Sequence, residues 1–273
     1  MEPSLLMTGP GYVDAHVHLR DAGGLADAGA AGVIAVRNAG TRDGAGLGIN
    51  GPATTVISAG WALCKRGGYG SLFGVSVDSR EQIAEEILKL KKAGAGILKV
   101  IASGMVSLKR PGEITVGGFS REELRFIVET ARTKGLAVMA HANGEAAIMN
   151  AAEAGVRSVE HGFFMTGKAL ASLQANGVFW VPTAGALQRA AEQTDVGYEV
   201  KGFVERTIDE HLVQVRNAYE TGVSLAVGTD AVLPDRRYRS IYEAELAYFL
   251  RAGIPRDAVL TIACDGGKKL LGI

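Results

Sequence analysis

Residues 12–18 read Tyr12-Val-Asp-Ala-His16-Val-His18. Aromatic and β-branched residues mark it as a strand. Side chains alternate across a strand, so His16 and His18 point to the same face. A lone histidine on a strand reads as a hydrogen-bonded core residue. Two imidazoles at i and i+2 on an otherwise apolar strand suit a metal ion, because neutral imidazole is the commonest metal ligand.

Seven further β-rich runs follow: 33–38, 54–58, 97–102, 137–141, 158–161, 178–182 and 224–229. Amphipathic stretches separate them, the pattern of βα units around a parallel sheet. Ser120-Arg-Glu-Glu123 opens one helix with a capping box, and Leu124, Ile127, Val128 and Ala131 follow at helical spacing. Ser79 to Ala93 repeats the design, with Ile83, Ile87, Leu88 and Leu90 expected on one face. Phe203 to Thr221 and Tyr238 to Ala252 read as long helices. Asp21 to Gly32 (DAGGLADAGAAG) is a weak helix former, since glycine is entropically costly in a helix. Eight strands without a linker or composition break predict a single, distorted (β/α)₈ barrel of the TIM type over residues 1–273, one catalytic domain.

Composition bounds the partners. The chain has 273 residues, 29 Lys plus Arg against 29 Asp plus Glu, and 47% hydrophobic residues. That is globular composition. A neutral chain lacks the basic surface that counterion release on nucleic acid requires. Cys64 and Cys264 stand far apart with no CxxC, and read as two free thiols in a reducing compartment. No apolar run reaches the roughly 20 residues that span a bilayer, and residues 1–11 have no basic, apolar leader pattern. A small-molecule substrate, a cytoplasmic location and no membrane partner are expected. A homo-oligomer stays open, with the aromatic-bearing helix Tyr238–Phe249 as either its face or core packing.

The remaining histidines carry the chemistry. His141 and His161 end the fifth and sixth strands, and Asp230 follows the eighth in Val-Gly-Thr-Asp. Barrel active sites are built at these C-terminal strand ends. His211 lies in a helix among charged residues and is read as surface. Lys99 sits inside Gly-Ile-Leu-Lys-Val-Ile-Ala, a run that should be a buried strand. Burying an ammonium is costly and depresses its pKa. A neutral amine attacks CO₂, and the carbamate has two oxygens that can bridge two cations. A snorkelling or salt-bridged lysine is the alternative, ranked lower beside this histidine set.

The set resembles the amidohydrolase superfamily: HxH on strand one, Lys on strand four, His on strands five and six, Asp on strand eight. The likeness runs from about Gly11 to Gly272. The stretches Ala-Gly-Ala-Gly-Ile-Leu-Lys-Val-Ile-Ala-Ser-Gly, Gly-Val-Arg-Ser-Val-Glu-His-Gly and Val-Gly-Thr-Asp-Ala are most similar to the branch of imidazolonepropionase and the metal-dependent Xaa-Pro and Xaa-Arg dipeptidases. The resemblance implies two divalent metals. His16, His18 and Asp230 would hold one and His141 and His161 the other, with carboxylated Lys99 bridging. It implies hydrolysis of a peptide, amide or cyclic amide C–N bond, with Asp230 as the proton carrier. Zinc suits these N/O ligands best, with manganese, iron and cobalt as alternatives. A lactonase or phosphotriesterase on the same site is the enzymatic rival, and a non-catalytic barrel the remote one.

The sequence departs from that branch in places. The flanking β-sandwich common in relatives is expected to be absent. Tyr69 stands in Gly-Gly-Tyr-Gly where the branch often has His, and Asn143 where it often has His or Glu. His-Val-His-Leu-Arg20 resembles the first-strand motif of dihydroorotases, in which that Arg binds the substrate carboxylate; Asn38 matches the helper Asn. Arg20, Asn38, Tyr69 and Asn143 are therefore candidate substrate contacts. An ion pair with Asp21 or Asp43 is the equal alternative for Arg20. Tyr69 and Arg37, both placed on loops, are candidate electrophilic partners.

Overall fold

The computed structural model describes residues 11–71, 74–194 and 196–273; the predicted span 1–10 lies outside them. Its strands are β1 (Tyr12–Leu19), β2 (Val33–Asn38), β3 (Thr55–Ser58), β4 (Ala62–Cys64), β5 (Gly74–Ser76), β6 (Ile97–Ile101), β7 (Ala137–Ala142), β8 (Ser158–His161), β9 (Phe179–Val181) and β10 (Ala231–Leu233). All pair in parallel, in two runs ordered β10-β1-β2-β3 and β5-β4-β6-β7-β8-β9.

The two runs are the halves of one ring. At one seam the chain itself crosses: β3 pairs with β2, and after residues 59–61 its continuation β4 pairs with β6, Ala62 opposite Lys99. The Gly96 amide also donates to the Ser58 carbonyl, 2.9 Å. At the other seam residues 224–230 bridge β9 to β1. Trp180 N donates to Ser224 O (2.9 Å), Ala15 N to Val227 O (2.8 Å) and Asp230 N to His16 O (2.7 Å). Counting β3–β4 as one barrel strand and residues 224–233 as another gives the distorted (β/α)₈ barrel.

The distortions fall on two predicted strands. The third is longer than 54–58 and broken in the middle, with the unanticipated β5 beside its second half. The eighth, expected at 224–229, is irregular there, and regular pairing resumes only at β10. Gly228 explains the break: a Cβ there would lie 2.4 Å from Val181 Cγ1 and 2.8 Å from His16 Cβ. The backbone presses against β1 and β9, and only glycine fits.

The helices are α1 (Gly23–Ala30), α2 (Arg80–Lys92), α3 (Arg121–Thr133), α4 (Glu145–Ala154), α5 (Gly167–Ala175), α6 (Ala184–Gln193), α7 (Tyr198–Thr221), α8 (Tyr238–Arg251), α9 (Arg256–Thr261) and, after a π turn at Ile262–Gly266, α10 (Gly267–Leu271). The capping box of α3 is formed, Ser120 Oγ accepting from Glu123 N at 3.2 Å and Ser120 N donating to Glu123 Oε2 at 2.8 Å. Leu124, Ile127 and Ala131 are buried behind it. On α2, Ile83, Ile87 and Leu90 are buried, but Leu88 is exposed, one residue off that stripe. The glycine-rich α1 is helical with Asp21 Oδ1 accepting from Gly23 N at 2.8 Å and with Gly24, Leu25 and Ala28 packed inward. An unpredicted helix, α6, follows β9, and α7 begins five residues before the expected Phe203. Tyr238, Tyr242, Leu246 and Phe249 of α8 are buried, which assigns the aromatic stripe to the core rather than to an oligomer face.

Candidate active site

β1 carries His16 and His18 to the C-terminal mouth of the barrel on one face. Their Nε2 atoms lie 3.3 and 3.2 Å from Asp230 Oδ1, and the three ligand atoms lie within 4.8 Å of one another. Each ring is held from behind. His18 Nδ1 is 2.7 Å from the Gly40 carbonyl. A carbonyl only accepts, so Nδ1 carries the proton and Nε2 keeps its lone pair for the site. His16 Nδ1 is 2.7 Å from Glu160 Oε2, which fixes the same tautomer. Asp230 has a left-handed backbone, φ 54°, a strained conformation for a non-glycine residue and a feature of functional sites. The preceding Thr229 is tied to buried Asp14 through its amide (3.0 Å) and hydroxyl (2.6 Å), and Tyr238 donates to the same carboxylate at 2.8 Å.

β7 and β8 bring the other two imidazoles alongside. The His16 and His161 ring centroids are 5.1 Å apart, and those of His141 and His161 are 4.5 Å apart. His161 Nδ1 meets Thr183 Oγ1 at 2.7 Å, which leaves Nε2 for the site. His141 Nε2 is engaged by Gly104 O at 3.0 Å, which leaves Nδ1. His161 and Thr183 both adopt positive φ, 65° and 46°. Burial, reinforced by Lys99, lowers His16 to about 4 and His141 to about 3. Both are neutral at pH 7, the form that ligates.

Lys99 sits at the centre of β6, a strand buried at every position. It is 3% exposed, and its Nζ has no hydrogen-bond partner. Burial lowers its pKa to about 8, against the pull of Glu160 and Asp230. An unpartnered buried amine is costly. Together with imidazoles whose second nitrogens are already engaged, this orphaned amine fits a donor set for divalent cations.

These residues line a cavity of about 890 Å³, with Arg20, Thr41, Arg42, Asp43 and Tyr69 also on its wall. Arg20 and Tyr69 thus line the cavity that the histidines share. Arg20 also acts electrostatically on Asp43. The ring of Tyr69 is 4.9 Å from that of His141.

Four sequence readings need correction. Asn38 is buried and spent on the fold: its Oδ1 accepts from Leu19 N and Gly40 N, both at 3.0 Å, and its Nδ2 donates to Ser58 at 3.1 Å. Asn143 is likewise engaged, Oδ1 accepting from Phe163 N (3.0 Å) and Nδ2 donating to Gly104 O (3.1 Å). Arg37 is on β2 rather than a loop. It donates to Ala15 O (2.6 Å), Ser158 Oγ (2.8 Å) and both oxygens of Glu160 (2.9 and 3.0 Å), so it supports His16 from behind rather than meeting substrate. His211 is 3% exposed, stacked on Phe163 at 4.4 Å with Nε2 3.1 Å from Pro182 O. The charged neighbours in sequence lie on the other faces of α7.

Glu160, Thr183 and Asp14 escaped the sequence reading. The signal existed for the two acids: each is a carboxylate inside an apolar strand run, and such a group demands a partner. Glu160 has one. Burial would raise its pKa, but the Arg37 guanidinium brings it down to about 2.

The family model described as the amidohydrolase family matches residues 7–273. The chain belongs to the amidohydrolase family. Ochratoxinase of Aspergillus niger is 29% identical over 182 residues, 66% of this chain and 38% of that one; the match therefore spans under half of that relative. An uncharacterised protein of Mycobacterium tuberculosis is 26% identical over 282 residues, covering 96% of this amidohydrolase and 74% of the relative. A solved Xaa-Pro dipeptidase with methionine in its active site superposes with TM-score 0.78 at 25% identity, over 97% of this chain and 75% of that one. The ochratoxinase structure gives TM-score 0.79 over 96% and 71%, at 24% identity. Both solved structures share this chain's fold. No helix among the described residues is long and apolar enough to cross a membrane.

Proposed function

We propose that this amidohydrolase is a metal-dependent enzyme of the cytoplasm that cleaves a C–N bond of a small peptide, amide or cyclic amide. Residues 1–273 would act as one catalytic barrel. The observation that carries the reading is the Lys99 amine, buried without a partner in the wall of the cavity that four histidines and Asp230 share.

His16 and His18 through Nε2, with Asp230, would hold one divalent cation. His141 through Nδ1 and His161 through Nε2 would hold a second. The neutral Lys99 amine would add to CO₂ and release a proton, giving a carbamate that bridges both. Zinc fits this donor set best. Bound cations supply a water acidic enough to attack near neutral pH and polarise the scissile carbonyl.

The chain's own groups do the rest. Asp230 accepts a proton from the attacking water and returns it to the leaving nitrogen, a transfer that needs one carboxylate within reach of both. The left-handed backbone of Asp230 and the Asp14–Thr229 bonds hold that carboxylate against His16 and His18. Burial keeps the Tyr69 hydroxyl protonated, a donor for the carbonyl oxygen. Arg20 at the mouth is a plane of donors for a substrate carboxylate.

A dipeptidase among the neighbours favours C–N over C–O or P–O bonds. The test is elemental analysis of the purified protein, followed by a panel of dipeptides, cyclic amides, lactones and phosphotriesters. The expected result is two metals per chain and turnover of an amide. Preferred turnover of a lactone or phosphotriester moves the assignment to the rival hydrolase, and a metal-free, inert protein rejects it for a binding module.

A further inference from the structure

Behind the histidines the site opens into a second, smaller space of about 170 Å³. It shares Tyr69, His141, His161 and Asp230 with the main cavity, and its other walls are Met105, Val106, Phe163, Ala186, Leu187 and Ala190, with Asn143 at one side. The main cavity reaches outward past Arg20 and Arg42, on the loops after β1 and β2. The small chamber is walled by the loops after β6 and β8 and by α6 after β9. Those strands lie across the ring from β1 and β2, so the proposed reacting centre stands between a polar mouth and an apolar recess.

The recess asks for an apolar occupant. Its one amide, Asn143, has Oδ1 committed to Phe163 N and Nδ2 to Gly104 O. Phe163 is fixed from behind by His211, stacked at 4.4 Å with an interplanar angle of 26°, and His211 is packed edge-on by Trp180 at 5.2 Å. The wall is therefore backed by a stacked ring rather than by a loop free to move. Away from the wall it shares with the main cavity, a polar group entering here would meet only apolar side chains and lose its water without gaining a partner. Its volume of about 170 Å³ is room for one ring, since a cavity of about 150 Å³ holds one benzene.

We propose that this chamber is a specificity subsite for a single aromatic ring or branched aliphatic side chain attached beside the scissile bond. The substrates are then amides with a bulky apolar group on one side of that bond. This rests on the reading of the shared centre as hydrolytic, and the experiment separates the two.

Two measurements are made on the metal-loaded protein. The first is calorimetric binding of benzamide against acetamide, which needs no turnover. Benzamide binds at least about tenfold tighter, the effect expected for burying a ring in an apolar site, and Ala190→Trp, which fills the chamber, abolishes the difference. The second is kcat/KM for dipeptides carrying Gly, Ala, Leu or Phe at each position in turn. One position shows a rise of about 10²-fold or more from Gly to Leu or Phe; the other stays flat. Leu187→Ala enlarges the chamber and moves the optimum from Leu or Phe toward Trp, a shift that a mere loss of packing would not produce. Equal binding of the two amides, a flat series at both positions, or an unchanged profile in folded Ala190→Trp and Leu187→Ala overturns the subsite. Selective benzamide binding with no amide hydrolysed keeps the subsite and removes the hydrolase reading.

Discussion

His16 and His161 stand 5.1 Å apart across one cavity, yet they are held by different chemistry. Behind His16 is a carboxylate, Glu160, itself clamped by the buried Arg37 guanidinium. Behind His161 is a hydroxyl, Thr183, and behind His141 a backbone carbonyl, Gly104 O. A carboxylate on the far nitrogen raises the basicity of an imidazole more than a neutral oxygen does. The two halves would therefore be unequal as metal sites. The half made of His16, His18 and Asp230 is already gathered within 4.8 Å, whereas the other depends on Lys99 to join it. Metal titration should therefore show a tight step and a weaker one.

The change that breaks the comparison most completely is Lys99→Ala, because Lys99 is the residue both halves would share. Most of the bound metal is lost, and kcat/KM falls by about 10³-fold, the scale of removing a principal electrostatic group. A short carboxylic acid added to the variant restores part of both by occupying the carbamate's place. Elemental analysis checks it: full occupancy without the lysine would show that Lys99 bridges nothing.

Next in size is a matched pair on the groups behind the rings. Glu160→Gln removes the charge behind His16 and leaves Arg37 buried without an anion. Metal affinity of the tight step falls by about 10–100-fold, and stability falls by about 3–5 kcal/mol, as when one partner of a buried ion pair is removed. Thr183→Val weakens only the other step, by about tenfold, while Thr183→Ser restores it. Competition with a chelator resolves the steps. If both variants weaken the same step, the two halves are not distinct.

The row of four histidines and Asp230 that lines the cavity was legible in the sequence because it obeys a local rule. Each residue sits at the end of a β-rich run, and strand alternation brings His16 and His18 to one side. Lys99 was legible for the opposite reason, as a charge where the pattern is uniformly apolar. What supports the row was not legible, since Arg37, Glu160 and Ser158 come from strands more than a hundred residues apart and meet only when the ring closes. Asn38 and Asn143 misled because residue type does not say whether a side chain's hydrogen bonds go to a ligand or to its own backbone. Here nearby amides and carbonyls consumed both. The break in the last strand was hidden in one glycine, Gly228, whose role is a distance to Val181 and His16.

The smallest effect lies just outside the ring of ligands. His211 shares the strong burial of the site histidines but holds no ligand position, so it separates the effect of burial from that of function. Burial lowers its pKa to about 4, with Pro182 O opposing, while in the unfolded chain it titrates near the ordinary value of about 6.5. Between these pH values the unfolded state takes up a proton that the native state refuses. Stability therefore rises with pH across this window. The contribution is complete above about 6.5 and is lost as pH falls toward 4, at a limiting slope of about 1.4 kcal/mol per pH unit. Asp14, raised to about 6, and Glu245, raised to about 7, both chiefly by burial, act in the opposite direction. They act equally in wild type and variant, so their effect cancels in the difference. His211→Phe keeps a ring against Phe163 and removes the proton. Urea unfolding at pH 7, 6 and 5 should then show a shallower loss on acidification than wild type, by up to about 1.4 kcal/mol per pH unit. Parallel curves would mean that His211 accepts its proton in the folded state. The acid sensitivity of the barrel would then belong to the ligand histidines.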